Sequence, residues 1–175
     1  YTKANQTKMQ FGTPGAGSSS HIACVILNSI IGVDVTNVPY RGSAPAMQDL
    51  VGGRTDYQCD QIVTAKPQIS SGNVKAIAIL SRERSPILPN LPTALEQGTD
   101  VQTYAWTALF LPKSTPDAIV QTLNKAILDA LHTPAVRTRI AELGSTVVSD
   151  ERMTPQYLAG FIKSEIEKWA GPIKA

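Results

Sequence analysis

Three polar loops carry the residue types that could bind an anion. They are Gly12–His21, Pro39–Ser43 and Asp60–Gln61, and each follows a stretch with the composition of a β-strand. Ligands of parallel α/β sheets lie beyond the carboxyl ends of the strands, so we expect the three loops at one edge. The first loop is rich in glycine and serine and leads into a helix, whose unpaired N–H groups attract negative charge. The sequence therefore predicts an anion site; the alternative is a tight turn whose serines only cap the helix.

The same loop departs from three enzyme motifs. Gly12 and Gly17 have the spacing of a P-loop, but Ser18 stands at the position of the phosphate-binding lysine. Ser20 replaces the third glycine of a dinucleotide fingerprint, and Ser19 lacks the second flanking glycine of a nucleophile elbow. We therefore expect no catalytic residue and no cofactor. A small α/β hydrolase that uses Ser18 or Ser19 with His21 is kept as the alternative function.

Four single residues each have a functional and a structural interpretation. His21, in the first turn of its helix, is either a base or a hydrogen-bonded structural residue. Arg41 either grips a carboxylate with two donors or pairs with a surface acid. Asp60 either binds a ligand hydroxyl or amine or caps the helix that follows. Trp106 either packs in a core or lobe interface or forms a pocket wall.

Length, composition and charge favour a packed globular chain of one domain or two small lobes. The chain has 175 residues, 42% of them hydrophobic and 17% charged, which disfavours disorder. A net charge of +2 predicts no nucleic-acid partner. No run approaches the roughly 18 apolar residues of a membrane span. The N-terminus has neither an initiating methionine nor the apolar stretch of a signal peptide, so we expect a processed or truncated chain.

Cysteine and histidine are too sparse for a convincing metal site. Two cysteines, Cys24 and Cys59, accompany two histidines, His21 and His132. The cysteines are either two buried thiols or one bridge, and the sequence pattern alone does not choose.

Apolar runs of strand length alternate with amphipathic helical stretches up to residue 80, which predicts an α/β fold with a mostly parallel sheet. The predicted strands are Lys8–Phe11, Val33–Val38, Thr55–Cys59 and Val74–Leu80. The predicted helices run from near Ser18 to Gly32, from Ser43 to about Leu50, and over Ile62–Ser71.

The alternation ends in a proline-rich segment, residues 82–99, which predicts a lobe boundary. Thr103–Leu111 has the pattern of a long strand able to pass between lobes. Three helices are predicted beyond it. Thr115-Pro116 and Thr154-Pro155 are expected to start two of them with a capping hydroxyl and a proline, and the third covers Pro134–Leu143.

Five blocks together resemble the Bug, or TctC-type, extracytoplasmic solute receptors of tripartite tricarboxylate transporters. The blocks are Gly12-Thr-Pro-Gly-Ala-Gly-Ser-Ser-Ser-His21, Val38-Pro-Tyr-Arg-Gly-Ser-Ala-Pro-Ala46, Cys59-Asp-Gln61, Arg84-Ser-Pro-Ile-Leu-Pro-Asn-Leu-Pro-Thr93 and Leu111-Pro-Lys-Ser-Thr-Pro116. The resemblance implies a type II periplasmic-binding-protein architecture of two α/β lobes, no catalysis, and delivery of a small carboxylate to membrane permease subunits. It also implies a periplasmic location.

The resemblance carries over a set of ligand-binding residues, which hold the carboxylate partly through water. These residues are Gly15, Ala16, Gly17, Ser18, Ser19, Tyr40, Arg41 and Asp60. It also implies a disulfide between Cys24 and Cys59, which an oxidising periplasm permits. The bound acid is not specified: dicarboxylates, tricarboxylates, amino acids and aromatic acids all suit the family.

The chain resembles the later part of such a receptor, because the earlier βα segment of the first lobe has no counterpart in it. Residues 1–102 are then the second lobe, and residues 103–175 are a crossover strand and helices that return to an incomplete first lobe. Exposed apolar surface on that lobe predicts self-association or exchange of elements between copies.

Overall fold

The computed structural model describes the backbone of residues 1–174 and the side chains of residues 1–170. The chain divides into two units, Tyr1–Ala105 and Trp106–Ala175. The first unit contains α1 (Thr2–Asn5), β1 (Gln10–Thr13), α2 (Ser19–Ile31), β2 (Thr36–Pro39), α3 (Ser43–Val51) and α4 (Ile62–Ser70). The second contains α5 (Asp117–His132), α6 (Pro134–Glu142), a 3-10 turn (Asp150–Arg152) and α7 (Pro155–Lys174).

A parallel pair of strands, β1 and β2, forms the sheet of the first unit. Their register places Gln10 opposite Thr36 and Thr13 opposite Pro39. Parallel neighbours need a crossover connection, which α2 supplies. Both strands begin two or three residues later than the sequence pattern predicts, whereas the predicted helices of this unit agree with α2, α3 and α4 to within one or two residues.

Helix α2 packs on the sheet and is capped at both ends, and its end at Gly32 agrees with the prediction. The Ser18 hydroxyl accepts a hydrogen bond from the His21 amide, and Gly32 ends the helix in the left-handed conformation with φ 66°. Apolar side chains of the helix and of the strand segments then form the core of this unit. Its buried members are Met9, Phe11, Ala23, Cys24, Val35 and Cys59.

Two predicted strands, Thr55–Cys59 and Val74–Leu80, are reduced to single parallel bridges in the described chain. One bridge joins Phe11 to Tyr57, and the other joins Ile79 to Thr93. The bridge at Tyr57 uses Asp56 N to Gln10 O and Gly12 N to Tyr57 O, at 2.8 and 3.1 Å. Both segments have strand composition, but regular strand structure requires a longer ladder than one bridge provides.

The prediction of a strand over Thr103–Leu111 is wrong. Residues 103–111 have no regular secondary structure, and Leu109 and Phe110 are 58% and 61% exposed. Alternating apolar residues predict a strand only where a neighbouring strand completes the hydrogen bonds, and no described strand pairs with this segment.

Trp106 anchors the part of this segment that belongs to the second unit. Its indole N–H donates to Oε2 of Glu165 in α7 at 3.3 Å. The indole N–H of Trp169, also in α7, donates to the same oxygen at 3.0 Å. Phe161 meets the Trp106 ring edge-to-face with the ring centres 5.3 Å apart. Trp106 therefore belongs to an aromatic cluster around a buried carboxylate, in agreement with its structural interpretation.

The two Thr-Pro sequences differ in what they do. Thr154 Oγ1 accepts a hydrogen bond from the Tyr157 amide at 3.1 Å, as a capping residue should. Thr115 does not cap α5: the N-cap is Pro116, and no side-chain cap is made. The cap predicted at Thr115 is therefore wrong, because α5 begins one residue later than expected. No helix in the described part of the chain combines the length and the apolarity needed to cross a membrane.

Candidate functional site at the carboxyl edge of the sheet

The first polar loop turns tightly between β1 and α2. Gly15 and Gly17 have φ values of 137° and 75°, which residues with a side chain adopt at a cost. A Cβ at Gly15 would lie 3.5 Å from the carbonyl oxygen of Tyr40. Glycine therefore provides both the turn and the close approach to the second loop.

The loop leaves several backbone donors without partners at the N-terminus of a 13-residue helix. Gly17 N donates to His21 Nδ1 at 3.1 Å, and Ser18 N donates to Gly15 O at 3.2 Å. Within residues 1–174, the amides of Gly15, Ala16 and Ser19 make no hydrogen bond. Unpaired N–H groups at a helix N-terminus, where the helix dipole is positive, bind anions.

The second loop is joined to the first by backbone hydrogen bonds. Tyr40 N donates to Thr13 O at 2.8 Å, and Gly42 N donates to Pro14 O at 3.1 Å. Arg41 lies between these contacts with an exposed side chain. The guanidinium is thus carried on a loop that is fixed directly beside the amide donors.

The Tyr40 side chain points toward α3. Its hydroxyl donates to Asp49 Oδ2 at 2.8 Å, and the other Asp49 oxygen accepts from Arg54 at 2.6 Å. Burial, followed by the bond to Asp49, raises the pKa of Tyr40. The hydrogen bonds from Tyr40 and then Arg54 lower the pKa of Asp49. The Tyr40 hydroxyl is therefore used to position its loop.

The third loop reaches the same edge because it follows the parallel Phe11–Tyr57 bridge, and the Cys24–Cys59 disulfide, whose Cα atoms are 5.5 Å apart, ties it to α2. Cys59 N also donates to Cys24 Sγ at 3.1 Å. Asp60 follows directly; its Oδ1 accepts from Gln61 N at 2.8 Å. Asp60 is not the helix cap, because α4 begins at Ile62 and its N-cap is Gln61.

Burial raises the pKa of Asp60. The polar groups of Thr64, Gln61 and Gln58 oppose this increase but do not cancel it. One carboxylate oxygen, Oδ2, is buried without a hydrogen-bond partner among the described residues. A carboxylate in this environment has unused capacity to accept a hydrogen bond.

The structure brings the first two loops into direct contact and brings the third to the same strand ends. No described hydrogen bond links Asp60 to Gly15, Ser18 or Ser19. His21 is engaged twice, through its backbone N with Ser18 Oγ and through Nδ1 with Gly17 N. No described hydrogen bond connects the hydroxyls of Ser18 or Ser19 with the imidazole, as a nucleophile and its base would require.

Some residues of this region are not evident from sequence motifs. Asp49 lies in an ordinary amphipathic helix, and its contact with Tyr40 spans nine positions. Gly12, Thr55 and Gln58 meet only in the folded chain. A separate cavity of about 520 Å³, lined by residues that include Ile69, Lys75 and Leu91, contains none of the predicted site residues. The described residues hold no group of three or more His, Cys, Asp or Glu side chains suited to a metal ion.

Comparison with known proteins identifies the kind of molecule that carries such a site. MatC from Rhodopseudomonas palustris, solved with bound malate, is 42% identical with a TM-score of 0.93, over 99% of this chain and 59% of MatC. The periplasmic binding protein BugD is 36% identical with a TM-score of 0.92, over 99% and 58% of the two chains. R. palustris Rpa4515, solved with adipate, is 29% identical with a TM-score of 0.89, over 95% and 55%.

The fold is therefore that of the α/β periplasmic binding proteins. The model of the tripartite tricarboxylate transporter family receptor, TctC, matches residues 1–175, and the chain belongs to this family. The chain spans about half the length of most of the curated relatives that it matches.

Proposed function

We propose that the chain forms the main ligand-binding part of a periplasmic receptor, which captures a small carboxylated organic acid and delivers it to the permease of a tripartite tricarboxylate transporter. The observation that carries the proposal is the set of unpaired amides of Gly15, Ala16 and Ser19 beside the fixed Tyr40–Gly42 loop. Family membership and the malate and adipate of two solved relatives support a dicarboxylate ligand.

In this proposal the first loop holds one carboxylate of the ligand. Amides of Gly15, Ala16 and Ser19 and the hydroxyls of Ser18 and Ser19 donate to it, and Gly17 maintains the turn. Arg41 adds positive charge from the adjoining loop, which is hydrogen-bonded to the first loop on both sides of this residue. Asp60 accepts a hydrogen bond from a polar substituent of the ligand.

We further propose that the protein is not an enzyme. His21 Nδ1 is used by the Gly17 amide, and Ser18 Oγ by the His21 amide. Neither pairing activates a serine for attack, so the hydrolase alternative gains no support from the geometry.

A periplasmic location suits the disulfide, because the oxidising periplasm preserves such bonds. We propose that residues 1–102 are one receptor lobe and that residues 103–175 return to the other. Apolar side chains exposed in the second unit, such as Leu109, Phe110 and Ile166, support self-association of the isolated chain. Sedimentation at increasing protein concentration tests this, and a concentration-independent monomer would contradict it.

A thermal-shift panel of small carboxylates tests the receptor function. The panel is run on this chain and on a chimaera in which residues 1–175 replace the part of MatC that they match. A ligand at a hundred times its Kd adds roughly 2.7 kcal/mol of stability, so binding raises Tm. A rise with dicarboxylates in the chimaera is expected. If no carboxylate shifts Tm in either protein, the receptor function is contradicted.

A further inference from the structure

Unpaired buried polar atoms are concentrated in one short segment, Thr55–Asp60. Among the described residues, Thr55 Oγ1, both amide atoms of Gln58, Asp60 Oδ2 and Ser85 Oγ are buried without a hydrogen-bond partner. Four of these five atoms belong to the segment, so their clustering requires a local explanation. Native proteins leave few such atoms, so each calls for an explanation, such as a water, ion or ligand group that binds there.

Gly12, at the carboxyl end of β1, faces two of these side chains. A Cβ at Gly12 would lie 3.5 Å from Thr55 Oγ1 and 3.7 Å from Gln58 Oε1, with the Tyr40 ring at 3.4 Å. These are ordinary van der Waals distances, so a group of methyl size fits there. Gly12 is not among the glycines with positive φ, so its backbone conformation does not demand glycine. The missing side chain instead leaves a small cradle, defined here by Gly12, Tyr40, Thr55 and Gln58.

The cradle suits a hydrogen-bonding group of one heavy atom. A threonine hydroxyl accepts and donates, and the Gln58 amide offers one acceptor and two donors. A ligand hydroxyl or ammonium would pair with these atoms, whereas a methylene would leave them unpaired. Thr55 is only 4% exposed, so the pairing would occur away from competing water.

The Gln58 amide lies beside the Asp60 carboxylate but is not fixed by a formed hydrogen bond. Tyr40 is held by Asp49, but neither amide atom of Gln58 has a hydrogen-bond partner in the described chain. This amide can therefore turn to present either its oxygen or its NH2 group to a ligand.

We propose that the Gly12 cradle is a specificity subsite, in which Thr55 and Gln58 select carboxylates bearing a hydroxyl or ammonium substituent over unsubstituted ones. This inference rests on the proposed carboxylate-receptor function and adds residues that the motif-based site lacks. It assigns Gly12 a role as the residue that keeps the subsite open.

Calorimetric titration of the MatC chimaera with L-malate and succinate tests the subsite, since the two acids differ by one hydroxyl. We expect malate to bind at least about tenfold more tightly, the order of one well-made polar contact. Thr55→Val and Gly12→Ala should each lower the malate preference at least about fivefold and leave succinate affinity within about twofold. Gly160→Ala is the matched control: its Cβ would meet nothing within 4 Å, so the preference should not change.

Thermal unfolding of the 175-residue chain gives a second readout that needs no ligand. Thr55→Val replaces an unpaired buried hydroxyl by a methyl group, so Tm should stay constant or rise. A clear fall in Tm would show that the hydroxyl stabilises the fold and would overturn the proposal. An unchanged malate preference in Thr55→Val, with both acids still binding, would also overturn it.

The two readouts separate this inference from the function on which it rests. If no acid binds the chimaera, the carboxylate-receptor function fails, and the specificity subsite fails with it. If both acids bind the chimaera and the variants leave the preference for malate over succinate unchanged, the receptor function stands and the subsite alone is refuted.

Discussion

The backbone amide of Gly17 donates a hydrogen bond to Nδ1 of His21, with the nitrogens 3.1 Å apart. A histidine four residues beyond a glycine thus closes the turn that the glycine begins. The backbone N–H of the same histidine donates a hydrogen bond to Ser18 Oγ at 3.2 Å. The two bonds make His21 part of the scaffold of the anion loop.

Replacing His21 by alanine should weaken carboxylate binding only moderately. One lost hydrogen bond of about 0.5–1.5 kcal/mol corresponds to at most about tenfold in Kd. Calorimetry on the MatC chimaera measures the change, and His132→Ala, distant in sequence and exposed, serves as the control. Hydrolysis of ester or amide substrates that disappears in His21→Ala would instead support the hydrolase alternative.

The Tyr40–Asp49 hydrogen bond should influence ligand affinity through the position of the second loop. Tyr40→Phe and Asp49→Ala both remove it, and each should weaken carboxylate binding about three- to tenfold. Arg54→Ala is the discriminating control, because it removes an exposed ion pair and keeps the Tyr40 bond. Exposed pairs contribute little, so its Kd should match the parent. An equal loss of carboxylate affinity in Arg54→Ala would show that the Tyr40–Asp49 hydrogen bond is not the cause.

Asp60 should make stability depend on pH. Its pKa is raised by burial, so the folded state binds the proton more strongly than the unfolded chain, where the pKa is near 3.8. Stability therefore falls as pH rises from that value through the folded pKa, and stays lower at neutral pH.

Asp60→Asn cannot ionise and keeps the acceptor for Gln61 N. Urea unfolding should find it more stable than the parent at pH 7, with a difference that closes as the pH falls to about 3. Asp34→Asn, an exposed position, is the control and should show no such gain at neutral pH. A loss of stability at pH 7 in Asp60→Asn would contradict the prediction.

The Cys24–Cys59 disulfide should be a major source of stability. It joins residues 35 positions apart, and the chain-entropy model assigns roughly 4 kcal/mol to a loop of that length. Urea unfolding with and without reductant measures this contribution. The double variant Cys24→Ala/Cys59→Ala is expected to be less stable than the oxidised parent and insensitive to reductant. Equal stability of the oxidised and reduced parent would refute the prediction.

The two Thr-Pro sequences should respond differently to alanine. Thr154→Ala removes the hydroxyl that accepts from the Tyr157 amide and should cost about 1 kcal/mol. Thr115→Ala removes no capping bond and should change stability by less than about 0.5 kcal/mol. Denaturant unfolding measures the free energy of unfolding of both variants. Equal losses of stability would show that the capping bond does not account for the effect of Thr154→Ala.

Much of the helical structure was predictable, because its signals are local. Ser18 caps α2 and Gly32 ends it, and both signals are legible within one or two turns of chain. The strands were less predictable. Thr55–Cys59 and Thr103–Leu111 have strand-like composition, but a strand depends on a partner that is distant in sequence.

The candidate site likewise has features that are local in sequence and features that depend on distant residues. The sequence by itself determined that a glycine- and serine-rich loop precedes a helix, and therefore that anion-binding amides are present. Only the tertiary structure decided that the second loop lies beside these amides, since Tyr40 N donates to Thr13 O and Gly42 N donates to Pro14 O. It also decided that Thr55 and Gln58 face Gly12. Local turns and caps depend on neighbouring residues, whereas these contacts depend on the parallel pairing that brings separate loops to one edge of the sheet.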